Sequence, residues 1–306
     1  MPPAPGFHHL HLNTTDPEAA IDFYTRAFPS TRKGSWGGLP ALLSPNEAMI
    51  LFDRVERQPP TAPQSPIWHF GWHVTDSRAT LEGYKKRRRE FELLPLYTGE
   101  GDAAVLISSD ALPGSGGVLG LTKAQLTEAR AEGVRPTGVG GFAYMRGPDG
   151  ALVEYAGNHP AERFNHIHFY QEQPLAAEAW YVRHLNARPR PVAAPAAEAD
   201  RRVPRGPDRT FPALDRDGMF RSPRGGVEFG DVALIWYMNQ GEAPLTPSRG
   251  QLYDHFALSV ADLDGWARKL EGEGVALLDG PYPLGDTRAL MIEGPSREAI
   301  ELVEVG

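Results

Sequence analysis

Four segments of the chain begin with the same alternation of apolar and polar positions. They start at Phe7, Trp68, Phe164 and Tyr253, and each opens with about six alternating residues, as half-buried β-strands do. Each segment then turns and continues with the periodicity of a helix. In the first segment, Asp16 followed by Pro17 predicts a helix N-cap and a first helical residue.

Short apolar runs follow each predicted helix. Those beginning at Ala48, Phe142, Val232 and Ala289 predict strands, and the second and fourth are expected to form hairpins turned at residues 148–150 and 295–297. The unit is therefore a strand, a helix and about three further strands, used four times. This internal repeat predicts an α+β architecture.

The repeats divide the 306 residues into two expected domains, with a boundary near residues 158–163. The predicted N-terminal domain, 1–160, contains modules at about 7–60 and 67–158. The predicted C-terminal domain, 161–306, contains modules at about 163–240 and 251–305. Residues 99–140 are expected to form a flap or an added helix. Residues 189–226, rich in Pro, Arg, Ala and Gly, are expected to form a long loop.

Composition narrows the possible functions. The net charge of −8 argues against nucleic-acid binding, and we interpret the basic run at residues 85–89 as a solvated helix face. The chain has no cysteine, so a metal would need nitrogen and oxygen ligands. Neither a signal peptide nor an apolar run of about 20 residues is present, which predicts a cytoplasmic protein without a membrane partner.

Histidines recur at one position of the four first strands. His9, His69, His166 and His255 each precede the turn residue of their own repeat by seven positions, although the chain has only ten histidines. A lone strand histidine is usually a hydrogen-bonded core residue, but the recurrence favours a shared role. By the period-two rule, three further histidines lie on the same strand faces, and the intervening Leu10, Leu12, Phe70 and Ile167 face the helices. These further histidines are His11, His73 and His168.

A carboxylate recurs on the last strand of the second and fourth repeats. Glu154 lies six residues after Pro148, and Glu301 lies six residues after Pro295. An unpaired carboxylate on an otherwise apolar strand is unfavourable, and coordination to a metal would compensate for its burial. Two imidazoles and one carboxylate leave coordination positions open, which suits a catalytic metal site better than a structural one.

In its repeated modules and its His and Glu positions, the chain resembles the vicinal oxygen chelate superfamily, which includes glyoxalase, bleomycin-resistance and extradiol dioxygenase proteins. The segment starting at His9 resembles the family's opening strand and helix, and residues 146–155 and 293–304 resemble its closing strand. The resemblance implies four βαβββ modules paired into two cup-shaped domains. Carried over by position, it implies one metal site at His9, His69 and Glu154, and another at His166, His255 and Glu301.

The chain departs from two branches of that superfamily. Glyoxalase I-like enzymes usually add an acidic ligand on the last strand of the first module, where only the late candidates Asp53 and Glu56 occur. Extradiol dioxygenases share the four-module length and a closing signature that Tyr144, Pro148, Gly150 and Glu154 match in part. The histidine expected shortly before that tyrosine is absent. Those enzymes also usually keep their metal in the C-terminal pair of modules only, whereas both pairs keep the full set here.

The resemblance and the ligand sets leave three functions open. The first is a ring-cleaving, extradiol-type dioxygenase with Fe(II), on a small-molecule substrate that chelates the metal through adjacent oxygens. The second is a glyoxalase-like lyase or isomerase, for which Zn, Mn, Ni or Co is equally suitable. The third is a small-molecule binding or resistance protein. As acids or bases in an enzyme we predict His11, His73, His168 and Tyr144. The resemblance also implies a possible homodimer.

Overall fold

Four βαβββ modules follow one another along the chain. The computed structural model describes residues 2–60, 63, 65–94, 142–157, 159–190, 224–238 and 244–306. The predicted flap at 99–140 and all but the ends of the predicted loop at 189–226 lie outside the described residues. Every module nevertheless has its helix and four strands, so the predicted fold class is confirmed.

The modules have the following elements. Module 1 comprises β1 (Gly6–Thr14), α1 (Pro17–Ala27), β2 (Arg32–Trp36), β3 (Leu39–Leu43) and β4 (Met49–Arg54). Module 2 comprises β5 (Ile67–His73), α2 (Ser77–Lys86), β6 (Glu92–Leu94), β7 (Phe142–Arg146) and β8 (Leu152–Ala156). Module 3 comprises β9 (Arg163–Gln171), α3 (Pro174–Leu185), β10 (Arg188–Pro189), β11 (Arg224–Phe229) and β12 (Val232–Met238). Module 4 comprises β13 (Tyr253–Val260), α4 (Leu263–Gly272), β14 (Leu277–Leu284), β15 (Thr287–Glu293) and β16 (Ala299–Glu304).

The ends of these elements follow local chemistry. Asp16 caps α1 by accepting a hydrogen bond from the Ala19 amide, and Asp76 and Asp262 cap α2 and α4 in the same way. Both predicted hairpins are confirmed. Their turns place Asp149 and Arg297 in the left-handed backbone region, with φ values of 54° and 69°.

The strands form two eight-stranded sheets that cross the two halves of the sequence. One sheet has the order β14-β15-β16-β13-β1-β4-β3-β2 and joins module 4 to module 1. The other has the order β10-β11-β12-β9-β5-β8-β7-β6 and joins module 3 to module 2. The structure therefore corrects the predicted grouping of modules into halves 1–160 and 161–306. The four first strands have nearly the same pattern, so the sequence alone does not distinguish which two of them pair.

The core lies on the sheet faces that do not carry the predicted ligands. Leu10, Phe70, Ile167 and Phe256 are fully buried there and pack with the four helices, as the alternation predicted. Aromatic contacts join the two sheets across this core, for example between the rings of Phe7 and Phe164, 5.3 Å apart. The opposite face of each sheet is thus left for polar side chains.

Two surface properties follow from the same arrangement. The basic run at the end of α2 is exposed from Lys86 to Arg89, in agreement with its interpretation as a solvated face. Among the described helices, none combines the length and the apolar character that crossing a bilayer requires.

Candidate metal centres

The histidine-bearing faces of the two sheets each hold one buried cluster of potential ligands. In the first site, the Oε2 atom of Glu301 lies 3.5 Å from His9 Nε2 and 3.7 Å from His255 Nε2. In the second site, the Oε2 atom of Glu154 lies 3.0 Å from His69 Nε2 and 3.8 Å from His166 Nε2. Each site thus presents two of the predicted ligand imidazoles and one carboxylate, and a third imidazole, of His11 in the first site and His168 in the second, lies within 4.8 Å of the ligand atoms of both histidines.

The six predicted metal ligands therefore come together, but in different partnerships from those that the resemblance implied. His9 lies with His255 and Glu301, and not with His69 and Glu154. His166 in turn lies with His69 and Glu154. The reason is strand pairing, because β1 forms an antiparallel pair with β13, and β5 with β9. Each site consequently takes one histidine from either half of the chain.

A one-residue register shift immediately precedes every one of these four histidines. On β1, Phe7 pairs with Leu258 and His9 with Ala257, so that His8 is the extra residue. The same shift skips three more residues, namely Trp68, Asn165 and Asp254. Such β-bulges bend a strand and redirect the neighbouring side chain. The bulges therefore direct the four imidazoles toward the two carboxylates.

Three of the bulged residues also orient the imidazole that follows them. His166 Nδ1 bonds to Asn165 Oδ1 at 2.8 Å, and His255 Nδ1 bonds to Asp254 Oδ1 at 2.7 Å. The Nδ1 atoms of His8 and His9 share a hydrogen bond of 2.8 Å. Engagement of Nδ1 leaves Nε2 available, which is how metal-binding histidines are commonly held by a second residue.

Buried ligand atoms without a hydrogen-bond partner at these sites fit a divalent metal. His9 Nε2, His166 Nε2, His255 Nε2 and Glu301 Oε2 are buried and have no hydrogen-bond partner within the described part of the chain. Buried polar atoms without a partner are unfavourable, and four of them around two points require an explanation. Nitrogen and oxygen donors of this kind suit Fe, Zn, Mn, Ni or Co.

The electrostatics favour a neutral imidazole at His9 and an ionised carboxylate at Glu154. Burial lowers the pKa of His9 well below its usual value, and the neighbouring His255 lowers it further. Burial opposes ionisation of Glu154, but His166 and His69 outweigh burial and hold the pKa of that carboxyl well below its usual range. For His255, burial is likewise outweighed, since Asp254 and Glu301 raise its pKa. The states of His9 and Glu154 are those that metal ligation needs, whereas a metal bound at His255 would displace the proton that Asp254 and Glu301 favour.

The four predicted acid–base residues take different positions. His11 stacks on His255 with ring centroids 4.4 Å apart, so it belongs to the first site. His168 Nδ1 lies 3.8 Å from Glu154 Oε2 and belongs to the second. The ring of Tyr144 packs edge-on to His69 at 5.1 Å. His73 stacks on His159 at the end of β5 and lies outside the ligand cluster.

In both sites an apolar residue stands where a fourth ligand, a second carboxylate, would lie. Glu301 lies beside Ala257, two residues after His255 on the neighbouring strand. The equivalent residue of β4, beside His11, is the buried Leu51. The equivalent residue of β12, beside His168, is Ile235. The late candidates Asp53 and Glu56 are exposed and do not supply the missing ligand.

Sequence patterns missed the residues that support the ligands. The Tyr282 hydroxyl donates to Glu301 Oε1 at 2.5 Å, which leaves Oε2 as the atom nearest the histidines. A Cβ atom at Gly71 would lie 2.0 Å from His166 Nε2, so only glycine leaves room for that ring. The adjacent His8 and His9 in a strand were the available signal of a bulge, since two neighbours on one strand otherwise face opposite ways.

The walls around the two sites differ. In the second site the Trp68 ring stacks on Tyr170 at 5.0 Å and meets Tyr237 edge-on at 5.9 Å. In the first site Trp36 packs against His9 at 5.8 Å, and small apolar residues accompany it. Both walls could receive an apolar ring, but the second is the more aromatic.

Comparison with solved structures is informative about the fold. Glyoxalase I from Zea mays is similar over 98% of this chain and 92% of that chain, with 15% identity and a TM-score of 0.60. A candidate dioxygenase from Bacillus subtilis subsp. subtilis str. 168 is similar over 99% of this chain and 86% of that chain, with 11% identity and a TM-score of 0.57. The chain has the glyoxalase fold. The fold that the resemblance implied is thereby confirmed. No protein-family model and no curated protein matches the sequence.

Proposed function

We propose that this protein is a metal-dependent oxygenase of the ring-cleaving type, with one divalent metal in each site. Fe(II) is the metal we expect, held by His9, His255 and Glu301 in the first site and by His69, His166 and Glu154 in the second. When bound, Fe(II) supplies redox chemistry with O2 and open positions for two adjacent oxygens of a substrate.

The observation that carries this proposal is the ligand set, two histidines and one carboxylate with an apolar residue at the fourth position. Leu51 and Ile235 offer no donor atom, so a metal held by the two histidines and the glutamate would keep positions open for substrate and O2. This open arrangement is typical of non-haem Fe(II) oxygenases. It is less suited to a glyoxalase I-type centre, which the resemblance associates with a fourth protein ligand.

Side chains around the ligand sets have roles of their own, in proton transfer and in shaping the sites. His11 in the first site and His168 in the second lie beside the ligand set, where each would take a proton from a substrate hydroxyl or return one. Trp68 and Trp36 border the two sites with an apolar ring surface. Because the ligands are nearly inaccessible to water, a substrate there would meet these groups largely desolvated.

A glyoxalase-like lyase or isomerase is the second candidate. It is supported by the same adjacent histidines, since proton transfer between neighbouring carbons needs a base beside a Lewis acid. The metal distinguishes the two candidates, because oxygen chemistry requires a redox-active ion whereas the lyase chemistry does not. A pure binding protein would need no buried ligand set at all.

Anaerobic reconstitution with Fe(II), followed by oxygen uptake with a panel of catechols, tests the proposal. We expect about two iron ions per chain and oxygen consumption with at least one catechol. Iron binding without oxygen uptake for any of them would reject ring cleavage. Activity that persists with Zn or Ni and without O2 would favour the lyase.

Single-site variants provide the matched controls. Glu301→Gln should remove the metal of the first site only, and Glu154→Gln that of the second only. If either substitution empties both sites, the two-site proposal is wrong. Glu271→Gln, an exposed residue of α4, should retain both ions.

A further inference from the structure

Arg249 lies over the first site, just before the strand that carries His255. Its Nε atom is 3.0 Å from Asp254 Oδ1, the same oxygen that receives the hydrogen bond of His255 Nδ1 at 2.7 Å. Its Nη1 atom is directed at the sulfur of Met291. Met291 pairs with Glu301 across β15 and β16 and is itself buried, so the guanidinium stands above the strand that bears the ligand carboxylate.

The Nε side of the guanidinium is held firmly by Asp254. Asp254 Oδ2 accepts from the Gly250 amide at 2.6 Å, and the Asp254 carboxyl is almost completely buried. The carboxylate to which Arg249 binds is therefore fixed on both of its oxygens.

The part of the guanidinium that points away from Asp254 is available to a ligand. Of its five N–H donors, Nε–H serves Asp254 and one Nη1–H meets a thioether, which is a weak acceptor. Within the described residues the other N–H groups bond to nothing, and about half of the side chain, 49%, is exposed. Directly paired residues point to the same face of a sheet, so Met291 and Glu301 share the ligand-bearing face, and the guanidinium lies on that face.

We propose that Arg249 binds an anionic substituent, a carboxylate or a similar planar oxyanion, of the substrate that occupies the first site. The planar fork of an arginine matches two carboxylate oxygens, and such bidentate bonds are among the strongest polar contacts in proteins. The proposal rests on the proposed function in one respect, since the same substrate must also chelate the metal. It adds that the substrate of this site is an acid.

The test compares two probes that share their chelating hydroxyls, 3,4-dihydroxybenzoate and its methyl ester. The full chain carrying Glu154→Gln, which confines metal to the first site, is loaded with Fe(II) without oxygen, and both affinities are measured by calorimetry. We expect the acid to bind about tenfold or more tightly than the ester. Arg249→Met should bring this ratio near unity at unchanged metal content.

Two further variants keep the result interpretable. Arg249→Gln keeps a donor for Asp254 but no charge, and it replaces Arg249→Met if that variant fails to fold or to hold metal. Arg288→Met removes an arginine that pairs with Asp264 and Glu304 away from the site, and it should keep the full preference for the acid.

The possible outcomes separate the two proposals. If the starting protein binds acid and ester equally, or if an Arg249 variant with its metal retains the preference, Arg249 only orders its loop and the anion proposal is overturned. If neither probe binds the metal-loaded protein, both this proposal and catechol-type chelation are rejected.

Discussion

The first and second sites have the same ligand positions but different surroundings. In both, strand register brings two histidines and a glutamate together, and a second histidine follows two residues after one of the ligands. The residue beside the carboxylate is Ala257 in the first site and Gly71 in the second. His255 in the first site and His69 in the second occupy equivalent positions. The bulged residue before His255 is Asp254, and the one before His69 is Trp68.

This comparison separates what a sheet determines from what its surroundings determine. Register and bulges position the potential ligand atoms, and they are shared because the modules repeat. Side chains at the bulges and on the neighbouring strands set the charge and shape of the pocket, and they differ. We therefore expect the two sites to hold the same metal and to prefer different substrates.

The strongest test of this comparison exchanges the small residues beside the carboxylates. Gly71→Ala places a Cβ atom 2.0 Å from the His166 ring, which is buried and held by Asn165, so the ring must leave its ligand position. We expect metal affinity at the second site to fall more than about 100-fold and stability to fall by ~1–3 kcal/mol. Elemental analysis after dialysis should find about one ion per chain. Ala257→Gly is the control and should retain two, and equal metal loss from both variants would contradict the comparison.

A second difference lies in the turns that precede the two carboxylates. Glu298 is fully buried beside the β15–β16 turn and accepts hydrogen bonds from the Tyr181 hydroxyl and the Ser296 amide, whereas the corresponding residue of module 2 is Ala151. Burial raises the pKa of Glu298 from 4.5 to about 7. Because the folded protein favours the protonated form, this group contributes most below pH 4.5, and its contribution is lost as the pH rises to about 7.

The Glu298→Gln variant isolates that pH dependence. Relative to the wild type, its free energy of unfolding should improve by on the order of 3 kcal/mol between about pH 4 and about pH 8, on top of a constant offset from the altered hydrogen bonds. Urea unfolding across this range measures the difference. Glu271→Gln, on an exposed surface, should parallel the wild type. A difference that is flat with pH would show that Glu298 does not titrate in this range.

The bulged residues provide the third test. Asp254→Asn removes the charge that orients His255, and metal affinity of the first site should fall about 10- to 100-fold, as for other second-residue changes. Asn165 contacts His166 as Asp254 contacts His255, through the Nδ1 atom of the ring. Asn165→Asp adds a negative charge at this contact and should strengthen the second site. Competition with a chelator measures both affinities. If the two variants shift affinity in the same direction, the bulged residues do not tune the metal by charge.

The smallest expected effects come from two equivalent tyrosines on α1 and α3. The Tyr181 hydroxyl donates to Glu298 at 2.6 Å, whereas the buried Tyr24 hydroxyl has no hydrogen-bond partner among the described residues. Tyr181→Phe should lower the free energy of unfolding by about 1–2 kcal/mol, and Tyr24→Phe should raise it by about 1 kcal/mol. Thermal unfolding of the two variants at one pH makes the comparison. Equal destabilisation by both would mean that ring packing and not hydroxyl pairing matters.

The sequence by itself determined the modules and the kind of residue at each site. Alternation on the first strands separated Leu10 and Phe70 from His9 and His69, because the side chains of a strand point to opposite faces. Caps such as Asp16 and turns such as 148–150 depend on neighbours along the chain, and they too could be predicted. The six residues that we propose as ligands were identified from their recurrence.

Only the tertiary structure decided which ligands share a site. Modules with one strand pattern offer equivalent edges, and the choice of β1 with β13 over β1 with β5 depends on packing between residues far apart in the chain. The same holds for the space that Gly71 gives His166 and for the placement of Arg249 over Met291. Local patterns predict which way a side chain faces, whereas its neighbours across the sheet are set by pairing energies summed over the whole fold.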